Sequence, residues 1–205
     1  MGSKKIEKKK SSKLALKFKR YNIKWVVNIT IITFILAVLM SFSSEALLRN
    51  TTVSIAFLIL IIIVFIGIVS DLIGIAVATA DEKPFHAMAS KKIEAAKYAI
   101  RLIKNAGPVS NFCNDVIGDI AGIISGAAGT IILVQVSKVY SGINTAIYGT
   151  ILSGMVASIT VGGKALGKEI ALKKSKEIVF YVSKVLHWLN IKLKIDLLPK
   201  NNKKN

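Results

Sequence analysis

Sulfur and imidazole are scarce in this chain: its 205 residues include one cysteine, Cys113, and two histidines, His86 and His187. One cysteine excludes an intramolecular disulfide, and a lone thiol with two separated imidazoles assembles no zinc-type ligand cluster. Charge is also sparse, at 20% of residues against 53% apolar, and acids are the rarer sign, 11 against 29 Lys and Arg for a net charge of +18. No nucleophile stands beside a base in a catalytic motif, and no polar stretch is long enough for an independent soluble core. An enzyme is therefore not expected, nor is a resident cofactor.

What the chain does have is apolar length. A helix needs about 20 residues to cross a hydrocarbon core of about 30 Å. Residues 25–42, 53–80, 109–136 and 141–163 meet that length, and no ionised residue interrupts the first or the fourth. The expected fold class is an all-α membrane protein with four transmembrane helices and amphipathic juxtamembrane helices. The basic N-terminus followed by an apolar run resembles a secretory signal, but the run is too long and no convincing small-residue cleavage site follows, so it is read as a retained helix.

Lysine and arginine are distributed asymmetrically between these blocks. There are 10 in residues 1–24, 6 in the 82–111 loop and 11 from Lys164 onward, against Arg49 and Lys138 alone in the other two loops. Basic residues are retained on the cytoplasmic side, so both termini and the central loop are expected there, as four spans require. The basic run Lys8-Lys9-Lys10 with Lys13, Lys17, Lys19 and Arg20 resembles a nucleic-acid patch. Beside a transmembrane helix it is better explained by attraction to anionic lipid headgroups, worth roughly 1 kcal/mol per basic residue. The expected partners are the bilayer and its anionic headgroups, not nucleic acid.

The chain divides into a basic tail over 1–24 with an interfacial segment, an N-terminal helix over 25–42, a three-helix core over 53–163, and a basic helix and tail over 164–205. In the central loop Pro84 disfavours continuation of the second span. From about 86 to 105 the composition is helical, with Ile93, Ala96, Ile100 and Ile103 recurring at helical spacing, and Gly107-Pro108 ends the segment. After the fourth span Ile178, Val182, Val185 and Leu189 mark one side of another amphipathic helix.

Ionisable residues inside a membrane cost about 2.5 to 3.5 kcal/mol each on insertion scales, so each is a candidate site. Asp71 and Asp119 each lie about ten residues from the expected cytoplasmic end of their spans, roughly 15 Å deep at 1.5 Å per residue. Asp115 is one turn nearer the cytoplasm than Asp119, Asn111 and Asn114 continue that side, and Ser153 of the fourth span lies at matching depth. Carboxylate, amide and hydroxyl oxygens suit a hard cation such as Mg²⁺. The same acids could relay protons, bind Na⁺, or merely hold helices together. Gly118, Gly122 and Gly126 recur every four residues and allow another helix to approach closely, within the subunit or across a dimer.

From about Leu60 to Leu189 the chain resembles the membrane domain of the CorB/CorC and cyclin M family of divalent-cation transporters. The stretch Ala96-Lys97-Tyr98-Ala99-Ile100-Arg101-Leu102-Ile103-Lys104-Asn105 is similar to that family's juxtamembrane helix. Gly118-Asp119 falls where the family carries Gly-Asn-Asn, and Gly163 to Leu189, with Ile170-Ala171-Leu172, is similar to the segment leaving its last span. The family's Gly-Glu-x-x-Pro-Lys signature falls on Gly163 to Lys168, with Lys164 in place of the acid and Gly167 in place of the proline. Its Ser-x-Ser-Glu signature falls near Asp71 to Gly74. The resemblance implies a homodimer and a dehydrated Mg²⁺ held between helices, and it carries over to Asp71 and Asp119. It leaves the helix over 25–42 as an addition, and the family's cystathionine-synthase-type regulatory modules are not expected.

The leading expectation is a divalent-cation (Mg²⁺ or Co²⁺) transport or homeostasis protein, with Asp71, Asp119, Asp115, Asn114 and Ser153 around the ion. The alternative is a non-transporting scaffold or regulatory subunit that binds a partner through the glycine-lined third span.

Overall fold

A computed structural model describes residues 23–49, 51–139 and 144–193. The basic tail, its expected interfacial segment and the last dozen residues lie outside the described residues. Among the described residues there is no strand. The helices are α1 (Ile23–Arg49), α2 (Val53–Thr79), α3 (Lys83–Ser90), α4 (Glu94–Lys104), α5 (residues 106–139), α6 (Thr145–Lys173) and α7 (Ser175–Leu193). Four of them, α1, α2, α5 and α6, are long and apolar enough to cross a membrane, and the protein is a multi-pass helical membrane protein. In hydrocarbon every backbone N–H and C=O must find its partner within the segment, which an uninterrupted helix provides.

The chain forms two units, one up to Met40 and one from Ser41 onward. In the first, the part of α1 from Val26 to Met40 carries no charged residue, and Thr30 returns its hydroxyl to the Val26 carbonyl at 2.9 Å. In the second, α2 is the central helix. Its buried residues Ala56, Leu60, Val64, Gly67, Ser70, Gly74 and Val77 recur every three or four positions along one face. Ile61, Phe65 and Ile66 stay exposed on the other side, where acyl chains are the solvent. One buried cluster joins Leu48, Ala56, Leu60 and Val64 to Ala128 and Ile132 of α5. There Gln135 donates from Nε2 to the Leu48 carbonyl at 2.8 Å.

A second cluster lies at the other end of the spans, where Ala76 and Val77 of α2 and Ala171 of α6 meet Phe85, Ala99, Leu102 and Val179. The segment expected as one helix over 86–105 is two, broken at Lys91 to Ile93, with Lys92 at φ 62°. Pro84 sits in the first turn of α3, where its missing N–H costs nothing. Glu82 Oε1 holds His86 Nε2 at 3.0 Å and Lys104 Nζ at 3.4 Å, which ties α3 to α4. The buried side of α4 is Ala95, Ala96, Ala99 and Leu102, and Ile93 is exposed. Small side chains take the inner positions because they let the neighbouring backbone approach.

Two boundaries move. Gly107 and Pro108 do not form a separate loop; they lie in the first turn of α5, which starts at Ala106 directly after Asn105. The fourth span does not stop at Gly163 but continues to Lys173, where Lys174 breaks it. Lys164 therefore lies within the continuous helix α6, directly after the apolar run that ends at Gly163.

Candidate functional site

The site is built where α2 crosses the first half of α5. Gly67, Ser70 and Gly74 are all buried on the crossing face of α2. A Cβ on Gly67 would stand 3.0 Å from the Ala121 Cβ and 3.7 Å from the Gly118 carbonyl oxygen, so the two backbones are nearly in contact. Ser70 donates its hydroxyl to the Cys113 carbonyl at 2.8 Å. At Gly74 the space of the missing side chain is filled by Asn114: an added Cβ would overlap Asn114 Oδ1, with Asn114 Cγ at 2.7 Å and the Cys113 Cβ at 3.1 Å. The glycines that admit the neighbouring helix here are thus on the second span as well as the third.

Within α5, Ala106–Asn111 and Gly118–Val139 are α-helical, but Phe112–Ile117 is a π turn. The Gly118 N–H reaches back to the Cys113 carbonyl, which therefore accepts two hydrogen bonds, one of them from Ser70. A π turn inserts an extra residue into a helix and is common at functional sites. Asn111, Asp115 and Asp119 are exposed, whereas Asn114 turns inward toward Gly74. Asn114 Oδ1 is buried and accepts no hydrogen bond. A buried amide oxygen without a donor costs about 1–3 kcal/mol.

Asp71 is half-buried and follows Ser70, on the face of α2 that carries Gly67 and Gly74. Gly67 lies opposite Gly118 and Ala121, while Ser70 and Gly74 lie opposite Cys113 and Asn114. Asp71 is therefore level with the π turn, and Asp119 is about one turn, roughly 6 Å at 1.5 Å per residue, further along. The extra residue in the π turn and the earlier start of α5 displace Asp119 from the level that counting from the loop assigns it.

Asp119 has a different neighbour. Its Oδ1 is 4.0 Å from Lys164 Nζ, with the Asp119 side chain 70% exposed and that of Lys164 26% exposed. Lys164 reaches α5 from α6 beside Gly118, whose added Cβ would lie 3.4 Å from the ammonium. The lysine is positioned by Gly163, which packs against Ile68, and by Gly167, against Ile68 and Leu72.

Ser153 lies elsewhere. It is exposed and lines a groove between α5 and α6 with Gly122, Ser125, Gly126, Gly129, Val156, Ala157 and Thr160. Its level is that of Gly126 to Gly129, about two turns of α5 from Asp119. Of the glycine stripe, Gly118 is buried, but Cβ atoms on Gly122 and Gly126 would meet nothing within 4 Å. Among the described residues no three His, Cys, Asp or Glu side chains are grouped closely enough to hold a metal.

The polar contacts the structure shows are thus Ser70 with the Cys113 carbonyl, the Asn114 amide against Gly74, and separately Asp119 with Lys164. Ser70, Gly67 and Gly74 are contributors that sequence reasoning passed over. Their signal, small residues at positions 67, 70 and 74, is present in the second span. Compared with family models, curated proteins and solved structures, the chain matches none.

Proposed function

We propose that this protein handles a divalent cation in the membrane, with Mg²⁺ or Co²⁺ as substrate or ligand at the crossing of α2 with the π turn of α5. The observation that carries the proposal is the buried, donor-free oxygen of Asn114 held against Gly74, at the level where α2 carries Asp71. In this reading the Asn114 amide and the carboxylates of Asp71 and Asp115 would turn toward the ion and supply half of an Mg²⁺ shell, and this ion usually keeps several waters. The resemblance to the CorB/CorC and cyclin M membrane domain supports the same ion class and a homodimer, and the lysine and arginine asymmetry supports cytoplasmic termini. In this proposal Lys164 stands as a tethered cation beside Asp119, so the outer carboxylate binds metal only when the ammonium moves away.

The test is a Mg²⁺ titration of thermal stability in detergent. A ligand at 100 times its Kd stabilises the folded protein by about 2.7 kcal/mol. That gain is expected in the wild type and lost in Asp71→Asn and Asn114→Ala. An equal response in wild type and both variants, or none in the wild type, overturns the reading.

A second reading, a non-transporting scaffold or regulatory subunit, is favoured by the open glycine face. Gly122 and Gly126 have free space above them beside Ser153 and Ala157, so a partner helix would dock without displacing any residue of this chain. Under this reading Gly126→Leu releases a co-purifying membrane protein and leaves any Mg²⁺ response unchanged.

A further inference from the structure

The helix α7 has two faces of different character. Its inner side holds Val179 and Ser183, both buried, with Phe180, Val182 and Leu186 packed against the cluster that includes Ala99 and Leu102 of α4. His187 points to the same side, its ring 5.4 Å from that of Tyr98. The outer side carries Tyr181, Val185, Trp188 and Ile191 at spacings of four, three and three, all exposed, Tyr181 at 66% and Trp188 at 52%. The outer stripe is rotated around the helix from the expected side: Ile178, Val182 and Leu189 are half-buried, and Val185 alone of that set faces out.

Lysines are interleaved with this outer apolar stripe. Lys184 Nζ lies 5.6 Å from the Tyr181 ring centre and 4.7 Å from that of Phe180, and Lys192 Nζ lies 5.0 Å from that of Trp188. Glu177 is the one acid in the helix, against Lys176, Lys184 and Lys192. Tyrosine and tryptophan have an apolar ring and a polar tip, and lysine a long apolar stem, a combination enriched where hydrocarbon meets headgroups.

The fold places that stripe at the membrane boundary. Val179 shares one buried cluster with Ala76 and Val77, in the last turn of α2, and with Ala171, in the last turn of α6. One residue, Lys174, separates α6 from α7. The helix thus begins at the level where the spanning helices end, with an apolar, basic face turned outward. We infer that α7 lies in the interface of the leaflet at this end, with Tyr181, Val185, Trp188 and Ile191 among the upper acyl chains and Lys184 and Lys192 on the phosphates of anionic phospholipids. The covering partner is the lipid surface because the exposed lysines complement its charge and the helix is continuous with a spanning segment. This assignment is independent of the cation reading.

The experiment uses the full chain in lipid nanodiscs, with Trp25→Phe so that Trp188 is the only tryptophan. Trp188 emission is expected to be shifted to the blue and to be quenched more by lipids brominated near the headgroup end than near the chain terminus. Brominated phosphatidylglycerol is expected to quench at least about two-fold more than brominated phosphatidylcholine at equal mole fraction, a preference that Lys184→Gln with Lys192→Gln removes. Emission typical of water with free access to iodide overturns the inference. Blue-shifted emission without bromolipid quenching also overturns it, because Trp188 is then covered by protein. Equal quenching by the two lipids overturns the assignment to anionic headgroups.

Discussion

Replacing Gly74 with alanine is the most direct probe of how α2 and the π turn fit together. The new methyl group would occupy the space of the Asn114 amide, with Asn114 Cγ 2.7 Å away and the Cys113 Cβ at 3.1 Å. In water, Gly→Ala in a helix gains about 1 kcal/mol of helix propensity. In a bilayer or mixed micelle the separated helices remain helical, so most of that gain cancels. What remains is overpacking, about 1–3 kcal/mol. The amide can rotate away, but only by leaving its buried seat, so the cost is expected near 2 kcal/mol within that range. In the Asn114→Ala background the obstruction at the amide is gone and only the Cys113 Cβ contact remains, a matter of a few tenths of an ångström. There Gly74→Ala is expected to cost less than about 0.5 kcal/mol. The coupling, about 1.5 kcal/mol by difference, is measurable as a double-mutant cycle of SDS-induced unfolding in mixed micelles. Costs that add to within about 0.3 kcal/mol would refute the contact and the placement of Asn114 with it.

Other expectations follow from the same geometry. Ser70→Ala removes the hydrogen bond to the Cys113 carbonyl and is expected to cost about 0.5–1.5 kcal/mol in the same unfolding assay, since that carbonyl keeps the Gly118 N–H. Cost within error would show that the serine does not join the helices. Gly67→Ala meets the Ala121 Cβ at 3.0 Å, a contact with no flexible end to move, and should destabilise more than Gly122→Ala, which meets nothing within 4 Å. The reverse order in melting temperature would place α2 and α5 differently. Outside the spans, the ammonium of Lys97, bonded to the Glu94 carboxylate at 2.8 Å, holds that carboxyl below the ordinary glutamate range. A lowered carboxylate contributes stability above its unfolded pKa and loses it as pH falls through the folded value. Its NMR titration midpoint should therefore be below that of an unstructured glutamate and rise in Lys97→Gln; an unchanged midpoint in that variant would remove Lys97 as the cause.

How much was legible in advance differs by feature. The spans were legible because each is an apolar run longer than the hydrocarbon core, a property of local composition. Pro84 was readable as an interruption, and it opens α3. The inward faces of α4 and α7 were harder. Of the α4 stripe Ile93, Ala96, Ile100 and Ile103, Ala96 is buried and Ile100 and Ile103 pack against the buried cluster, but Ile93 is exposed and the other buried positions are Ala95, Ala99 and Leu102. Small residues let a neighbouring backbone approach closely, so the bulkiest apolar residues are a poor guide to which side of such a helix faces in. Of the candidate site, Asp71, Asn114 and Asp115 could be named from the sequence as membrane acids and a neighbouring amide. That Ser153 sits two turns away from Asp119, and that Lys164 stands beside Asp119, follows only from the lengths and crossing of α5 and α6.

The sequence alone therefore determined the class and the number of spanning helices, because an apolar run of about 20 residues has no other way to satisfy its backbone in a bilayer. Only the tertiary structure decided which polar groups meet. The π turn of α5 shifts levels by a residue without any proline or glycine pair to announce it, and the fourth span runs on past Lys164 to Lys173. The meeting of polar groups depends on contacts between helices, with Gly67 and Gly74 admitting α5 and Gly163 and Gly167 admitting α2, and such contacts have no counterpart in any one segment of the chain.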